Sequence, residues 1–208
     1  NSMAANTNSK MSNVTQKWVN LLIPFSGNYS ACFSATQISK KTGIPQQTAS
    51  RGLNELAKNN LINYKIEGKN KMFYLDLEKT SSKNILNMIE NHKALKFLVE
   101  NKEVSLIIDE IVHKSKSLAV FGSYAKGTAD RKSDLDAAIF GKKAIIDDIK
   151  KRYVIEINEH YTSYSEFGRL LKNENPLAIE IAENHVFFGN VSELVDVLWR
   201  WNYGRRQR

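Results

Sequence analysis

The apolar positions of residues 14–80 predict three helices followed by two strands. The first helix carries apolar residues at three- and four-residue steps, at Val14, Trp18, Leu21 and Leu22. A second helix is predicted to begin after Ser34, a favourable capping residue, and to stop at Gly43. Pro45 then opens a third helix, because its missing N–H does no harm in a first turn. Strands are predicted over residues 61–67 and 72–77, joined by a turn at 68–71.

The pattern then changes to helices and further strands. Residues 81–115 repeat apolar positions at helical steps and predict one or two connecting helices. An apolar strand from Leu118 runs into a Gly-Ser turn, and a second strand opens at Asp134. The remaining predicted elements are a crossover helix (141–152), a strand (153–162), helices (165–172 and 176–183), a short strand (186–189) and a last helix (191–201). The fold class is therefore α+β, with a small mixed sheet in the second half.

Length and composition fit two small globular domains. The chain has 208 residues, 42% of them hydrophobic and 25% charged. No apolar run is long enough to cross a bilayer, no secretory signal core is present, and the single Cys32 permits no internal disulfide. We therefore expect a cytoplasmic protein without a membrane partner. The expected divisions are a disordered segment left from cloning (1–13), a first domain (14–80), a helical linker (81–115), a second domain (116–203) and a basic tail (204–208).

The net charge of +8 favours a polyanionic partner, because lysine and arginine neutralise phosphates and release counterions. Residues 14–80 contain nine Lys and Arg against four Asp and Glu, so most of the surplus lies in the first domain. Many basic proteins never bind nucleic acid, so the net charge alone does not show that this protein does.

The candidate chemistry lies in the string Gly122-Ser-Tyr-Ala-Lys-Gly-Thr-Ala-Asp-Arg-Lys-Ser-Asp-Leu-Asp136. Side chains alternate along a strand, so Asp134 and Asp136 are expected to project from one face while Leu135 points to the other. Two carboxylates beside a Gly-Ser turn suit Mg²⁺, which prefers one or two carboxylates together with phosphate oxygens. Taken singly, each residue is better explained as a cap or a solvated strand end, and only the joined string favours a functional site.

This gapless string resembles the signature of the polymerase-beta-like nucleotidyltransferases, especially the minimal archaeal and bacterial kind. The resemblance covers about residues 116–190. It implies transfer of a nucleoside monophosphate from a triphosphate, expected to be ATP, to an unknown hydroxyl, with Mg²⁺ or Mn²⁺ held by Asp134 and Asp136. It further implies a third metal-binding carboxylate on the strand after the crossover helix, for which Glu156 is the candidate. Gly122 and Ser123 would contact the phosphates; Lys126 and Arg131 would neutralise them or simply be solvated.

The first domain resembles the winged helix-turn-helix of bacterial and archaeal regulators. In that class the second helix of the motif enters the major groove of DNA, and a basic hairpin contacts the backbone. The residues expected to bind DNA are Gln46, Gln47, Thr48, Ser50, Arg51 and Asn54 on the helix, and Lys69 and Lys71 on the hairpin. A winged helix that binds protein instead, with this face solvated, is the alternative.

Three functions remain open from the sequence. The chain is an enzyme that a winged helix directs to DNA, a DNA-binding transcriptional regulator whose second domain binds nucleotide without turnover, or an antitoxin-like protein that modifies or masks a protein partner. A homodimer is plausible from the winged helix alone.

Overall fold

The computed structural model describes residues 18–141 and 146–206. The expected disordered segment 1–13, the start of the first helix at Val14, residues 142–145 of the predicted crossover helix and the last two residues of the tail lie outside the described residues. The chain divides into two compact units, the first ending at Ile89 and the second beginning at Glu90.

The first unit contains the predicted order of helices and hairpin. Its elements are α1 (described over residues 18–22), a 3-10 turn (Ile23–Phe25), β1 (Cys32–Ser34), α2 (Ala35–Thr42), α3 (Gln46–Lys58), β2 (Asn63–Glu67) and β3 (Asn70–Tyr74). The strands pair antiparallel in the order β1-β3-β2. The hairpin turn is tighter than predicted, since β3 already begins at Asn70 and Lys71 lies within it, opposite Ile66.

Local chemistry fixes the break between α2 and α3. Ser34 Oγ accepts a hydrogen bond from the Gln37 N–H, and the Gln37 side chain accepts one from the Ser34 N–H, so the two form a capping box. At the other end Gly43 has φ +72°, a left-handed conformation that glycine adopts without steric cost. The buried Ile38, Leu53 and Leu56 then face the core of the unit.

Two long helices follow, α4 (Thr80–Glu100) and α5 (Lys102–Lys114), separated by Asn101. The boundary between the units falls inside α4, so the residues of the predicted linker are shared between the two units.

The second unit is built on a mixed four-stranded sheet. Its further elements are β4 (Ser117–Val120), α6 (Gly122–Lys126), β5 (Leu135–Phe140), α7 (Asp147–Lys150), β6 (Ile157–Thr162), α8 (Tyr164–Lys172), α9 (Pro176–Glu183), β7 (Val186–Gly189) and α10 (Val191–Arg206). The strand order is β6-β5-β4-β7, with β5 and β6 parallel and the other pairs antiparallel.

The two faces of this sheet differ. One carries Leu135, Ala137 and Ile139, which belong to a buried core that includes residues of α5 and α7. The opposite face carries Asp136, Ala138 and Phe140. The Phe140 ring contacts Tyr164 and Phe167 of α8, with centroids 5.6 and 5.3 Å apart. Helix α8 therefore covers this face where β5 ends, and Asp136 lies on the same face where β5 begins.

Several elements of the second unit differ in extent from the prediction, and the crossover helix predicted over residues 141–152 is helical within the described residues only at α7 (Asp147–Lys150). Strand β6 begins at Ile157 rather than at Tyr153, because its partner β5 begins at Leu135, which lies opposite Ile157. The residues before Ile157 extend past the start of β5, and Val154 is fully exposed. Helix α10 continues through Arg206 into the predicted tail, and the Arg205 guanidinium lies 4.8 Å from the Trp201 ring, one turn back.

Candidate functional site

The turn after β4 brings a glycine against an aspartate. Phe121 is extended, Gly122 has φ +65°, and the short helix α6 ends at Gly127 in the left-handed conformation. The Phe121 N–H donates to the Asp136 carbonyl oxygen over 3.1 Å. A Cβ atom placed on Gly122 would lie 2.0 Å from Asp136 Oδ2. Glycine is required here both for its φ angle and because the Asp136 carboxylate fills the space that a side chain would occupy.

The loop that leads to β5 is ordered by its own polar side chains. Ser133 Oγ accepts from the Asp130 N–H over 2.9 Å and donates to Asp130 Oδ1 over 3.1 Å, while the Lys132 N–H donates to the same carboxylate oxygen. Such local bonds stabilise a turn. The serine of the Ser-Asp-Leu-Asp string therefore fixes the direction in which the chain enters the site.

Asp134 lies directly before β5, Asp136 is the second residue of that strand, and both are half-buried. In the parallel pair of β5 and β6, Asp136 lies opposite Asn158. Asn158 Nδ2 lies 3.4 Å from Asp134 Oδ2 and 3.3 Å from Asp136 Oδ1, and donates to both carboxylates. The structure thus brings together two acids and one amide.

Glu156 is not part of this cluster. Its carbonyl oxygen accepts from the Leu135 N–H, but its side chain is exposed. The charge of Glu156 has only a small effect on the pKa of Lys150. The pKa of Lys150 is raised chiefly by its hydrogen bond to Glu159 and least by the charge of Glu156. Within residues 18–141 and 146–206, no three His, Cys, Asp or Glu side chains are grouped to hold a metal ion. The predicted set of three carboxylates is therefore not assembled.

The residues present still fit a divalent cation bound together with a nucleotide. Mg²⁺ is commonly held by one or two carboxylates, with waters and substrate phosphates completing its six oxygen ligands. Asp134 and Asp136 supply the carboxylates, and the amide oxygen of Asn158 becomes available if its side chain rotates. Gly122 keeps the wall of the site free of any side chain that would push Asp136 away.

The two predicted phosphate-neutralising cations lie in different settings. Lys126 Nζ forms a 2.6 Å ion pair with Glu180 of α9, and both side chains are more than two-fifths exposed. Such a pair contributes less than about 1 kcal/mol, so a phosphate can displace it. Arg131 is exposed and lines a hollow of about 450 Å³ together with Tyr124. The pKa of Tyr124 is raised by burial first, and then by the charges of Glu103, Asp130 and Asp134.

The residues predicted to bind DNA lie in three different settings in the first unit. Gln46, Gln47, Ser50 and Arg51 line one open hollow on α3, and Thr48 is half-buried beside them. Asn54 and Lys71 instead bond to each other, with Lys71 Nζ 2.7 Å from Asn54 Oδ1 and 3.7 Å from the centre of the Tyr64 ring. Lys69 is exposed in the hairpin turn.

Asn158 is the site residue that the sequence prediction did not select. Residues two apart on a strand share a face, so alternation alone does not separate Asn158 from Glu156, and only the pairing of β5 with β6 shows which of the two meets the aspartates. The signal available in the sequence was the position of this amide, two residues after the candidate carboxylate Glu156.

No helix among the described residues is long and apolar enough to span a membrane.

Comparison with known proteins points to the part of the chain that contains the candidate site. Neither a curated protein nor a solved structure matches the chain. Residues 101–185, which include Gly122, both aspartates and Asn158, match the family model described as "Nucleotidyltransferase domain", and this match indicates nucleoside monophosphate transfer in general.

Proposed function

We propose that the second unit is a Mg²⁺-dependent nucleotidyltransferase that moves a nucleoside monophosphate from a triphosphate, ATP in the first instance, to a hydroxyl acceptor. The observation that carries this proposal is that one amide, Asn158, contacts the carboxylates of both Asp134 and Asp136, while the Asp136 carboxylate fills the space that a side chain at Gly122 would take. The family match over residues 101–185 supports the same reaction.

The chain's own residues would divide the work as follows. Asp134 and Asp136 hold the divalent cation, which when bound neutralises charge on the triphosphate and on the departing pyrophosphate. Ser123 offers its N–H and hydroxyl to phosphate oxygens beside Gly122. Lys126 exchanges Glu180 for a phosphate, and Arg131 provides a second positive charge from the loop. The protein thus contributes position and charge rather than a covalent intermediate.

The test is a transfer assay that needs no knowledge of the acceptor. The purified chain is incubated with each of the four triphosphates labelled at the α-phosphate, with Mg²⁺, and with a cell lysate as a source of acceptors. We expect one triphosphate to label a macromolecule that the lysate alone does not label, and EDTA to prevent this additional labelling. Additional labelling that persists in EDTA, or no additional labelling with any triphosphate, contradicts the proposal.

We further propose that the first unit is a winged helix that binds DNA through α3. Support comes from its order of elements, its three-stranded sheet with a terminal hairpin, and the polar side chains of Gln46, Gln47, Ser50 and Arg51 around one open hollow. Arginine pairs in bidentate fashion with guanine, and glutamine with adenine. The Asn54 side chain already accepts from Lys71 and donates to the Ser50 carbonyl oxygen, so we assign Arg51 the larger share of base recognition.

Replacing Arg51 by alanine is expected to weaken binding to a duplex selected from a random pool by at least about fivefold, because a base-contacting arginine contributes about 1–3 kcal/mol. Lys58→Ala is the matched control, since it removes the same charge from the far end of α3 and should weaken binding by less than about threefold. Fluorescence anisotropy at physiological salt measures both affinities. Equal losses in the two variants would show sequence-independent binding and contradict the recognition role.

One observation favours a second candidate function. The position opposite Asp136 holds an amide rather than an acid, which lowers the negative charge available for cations. A DNA-binding regulator that binds a nucleotide without turnover is consistent with such a site. In that case the labelling assay gives no transfer, while equilibrium dialysis still detects nucleotide bound to the chain.

A further inference from the structure

Asn158 is the third polar side chain of the site by position. It lies opposite Asp136 in the register of β5 and β6, and its amide nitrogen reaches one oxygen of each aspartate. Its neighbours fix this orientation, because Ile157 is buried in the core on the other face and Glu159 is held there by a 2.7 Å ion pair with Lys150. Glu156 could therefore lie opposite Asp136 in place of Asn158 only if β6 shifted by two residues in its pairing with β5.

The chemistry of an amide differs from that of a carboxylate at this position. The amide donates to both aspartates and holds them close together while adding no charge. Two carboxylates and a neutral group attract a divalent cation less strongly than three carboxylates do. A cation at this site consequently depends on oxygen atoms that the nucleotide supplies.

We infer that Asn158, and not Glu156, sets the cation affinity of the site, so that the cation binds weakly to the free protein and tightly only together with a triphosphate. This inference rests on the proposed nucleotidyltransferase function. It makes Asn158 a positioning residue for Asp134 and Asp136, and it leaves Glu156 as a solvated carboxylate.

The test measures Mn²⁺ binding to the full chain by electron paramagnetic resonance, with and without a non-hydrolysable ATP analogue. In the free protein, Asn158→Asp is expected to tighten Mn²⁺ binding about tenfold, because it adds a charged ligand beside the other two. Glu156→Gln is the matched control, since it changes one carboxylate two residues away, and it should alter Mn²⁺ affinity by less than about twofold. In the unchanged protein, the analogue should tighten Mn²⁺ binding at least about tenfold.

Thermal unfolding adds a readout that separates cation binding from structure. In EDTA, Asn158→Asp should melt below the unchanged protein, because a third carboxylate replaces a donor between two others. Saturating Mn²⁺ should reverse that order, since a ligand that binds the folded state stabilises it.

The possible failures are distinguishable. Weaker Mn²⁺ binding in Glu156→Gln overturns the inference, and this variant leaves residue 158 unchanged, so it decides even if the aspartate is poorly tolerated. Unchanged Mn²⁺ affinity in Asn158→Asp overturns it as well. Absence of any Mn²⁺ binding in the unchanged protein, with and without the analogue, overturns the proposed function itself.

Discussion

Replacing Asp134 and Asp136 together by asparagine is expected to lower nucleotide transfer by at least about a thousandfold, because the cation loses both of its charged protein ligands. The change keeps the size of each side chain and removes only charge. Asn158 loses its two carboxylate acceptors but keeps amide oxygens to donate to, so the fold of the unit should survive. Pyrophosphate release and labelling of the acceptor measure the loss.

The control for this variant removes the same charge elsewhere in the second unit. Asp109 and Asp148 are exposed on α5 and α7, which pack with the face of β5 opposite to Asp136, and their double asparagine variant should keep its rate within about twofold. Circular dichroism and melting temperature confirm that each protein is folded. Retention of more than about a tenth of the original rate in the Asp134 and Asp136 variant would contradict the assignment.

Gly122→Ala is expected to cost about 2–4 kcal/mol of unfolding free energy and most of the transfer activity. An L-residue at φ +65° is strained by about 1–2 kcal/mol, and the new Cβ would meet Asp136 Oδ2 at 2.0 Å. Relief of that contact moves a proposed cation ligand, and displacements of about 1 Å can cost a hundredfold in rate. Urea unfolding and the transfer assay measure the two losses.

Two further variants separate the backbone strain at residue 122 from the steric clash with the Asp136 carboxylate. Gly127 has φ +69°, but apart from its chain neighbours no atom of the described residues lies within 4 Å of the position that a Cβ would take, so Gly127→Ala should show the strain alone, about 1–2 kcal/mol. In an Asp136→Ala background the carboxylate is gone and only the Cβ of residue 136 remains, 3.3 Å from the new Cβ, so Gly122→Ala should then cost little more than Gly127→Ala. An equal cost of Gly122→Ala in both backgrounds would show that the close approach to Asp136 does not matter.

Features set by local chemistry could be predicted from the sequence. The capping box at Ser34 and the left-handed stop at Gly43 depend on residues within a few positions of each other. Strand alternation predicts a common face for Asp134 and Asp136, and although Asp134 lies directly before β5, both carboxylates contact Asn158.

Features set by contacts between distant segments could not be predicted. Glu156 and Asn158 share a face by alternation, and only the pairing of Leu135 with Ile157 places the amide beside the aspartates. The same pairing delays the start of β6. Likewise, the bond between Lys71 and Asn54 joins the hairpin to α3, and no local pattern indicates that these two proposed DNA contacts satisfy each other.

The most direct test of the central claim is a crystal structure of the chain with Mn²⁺ and an α,β-methylene ATP analogue. We predict an anomalous Mn²⁺ peak in contact with carboxylate oxygens of Asp134 and Asp136, with the triphosphate beside Gly122 and Ser123. A cation bound elsewhere, or a nucleotide that leaves both aspartates uncoordinated, would contradict this claim.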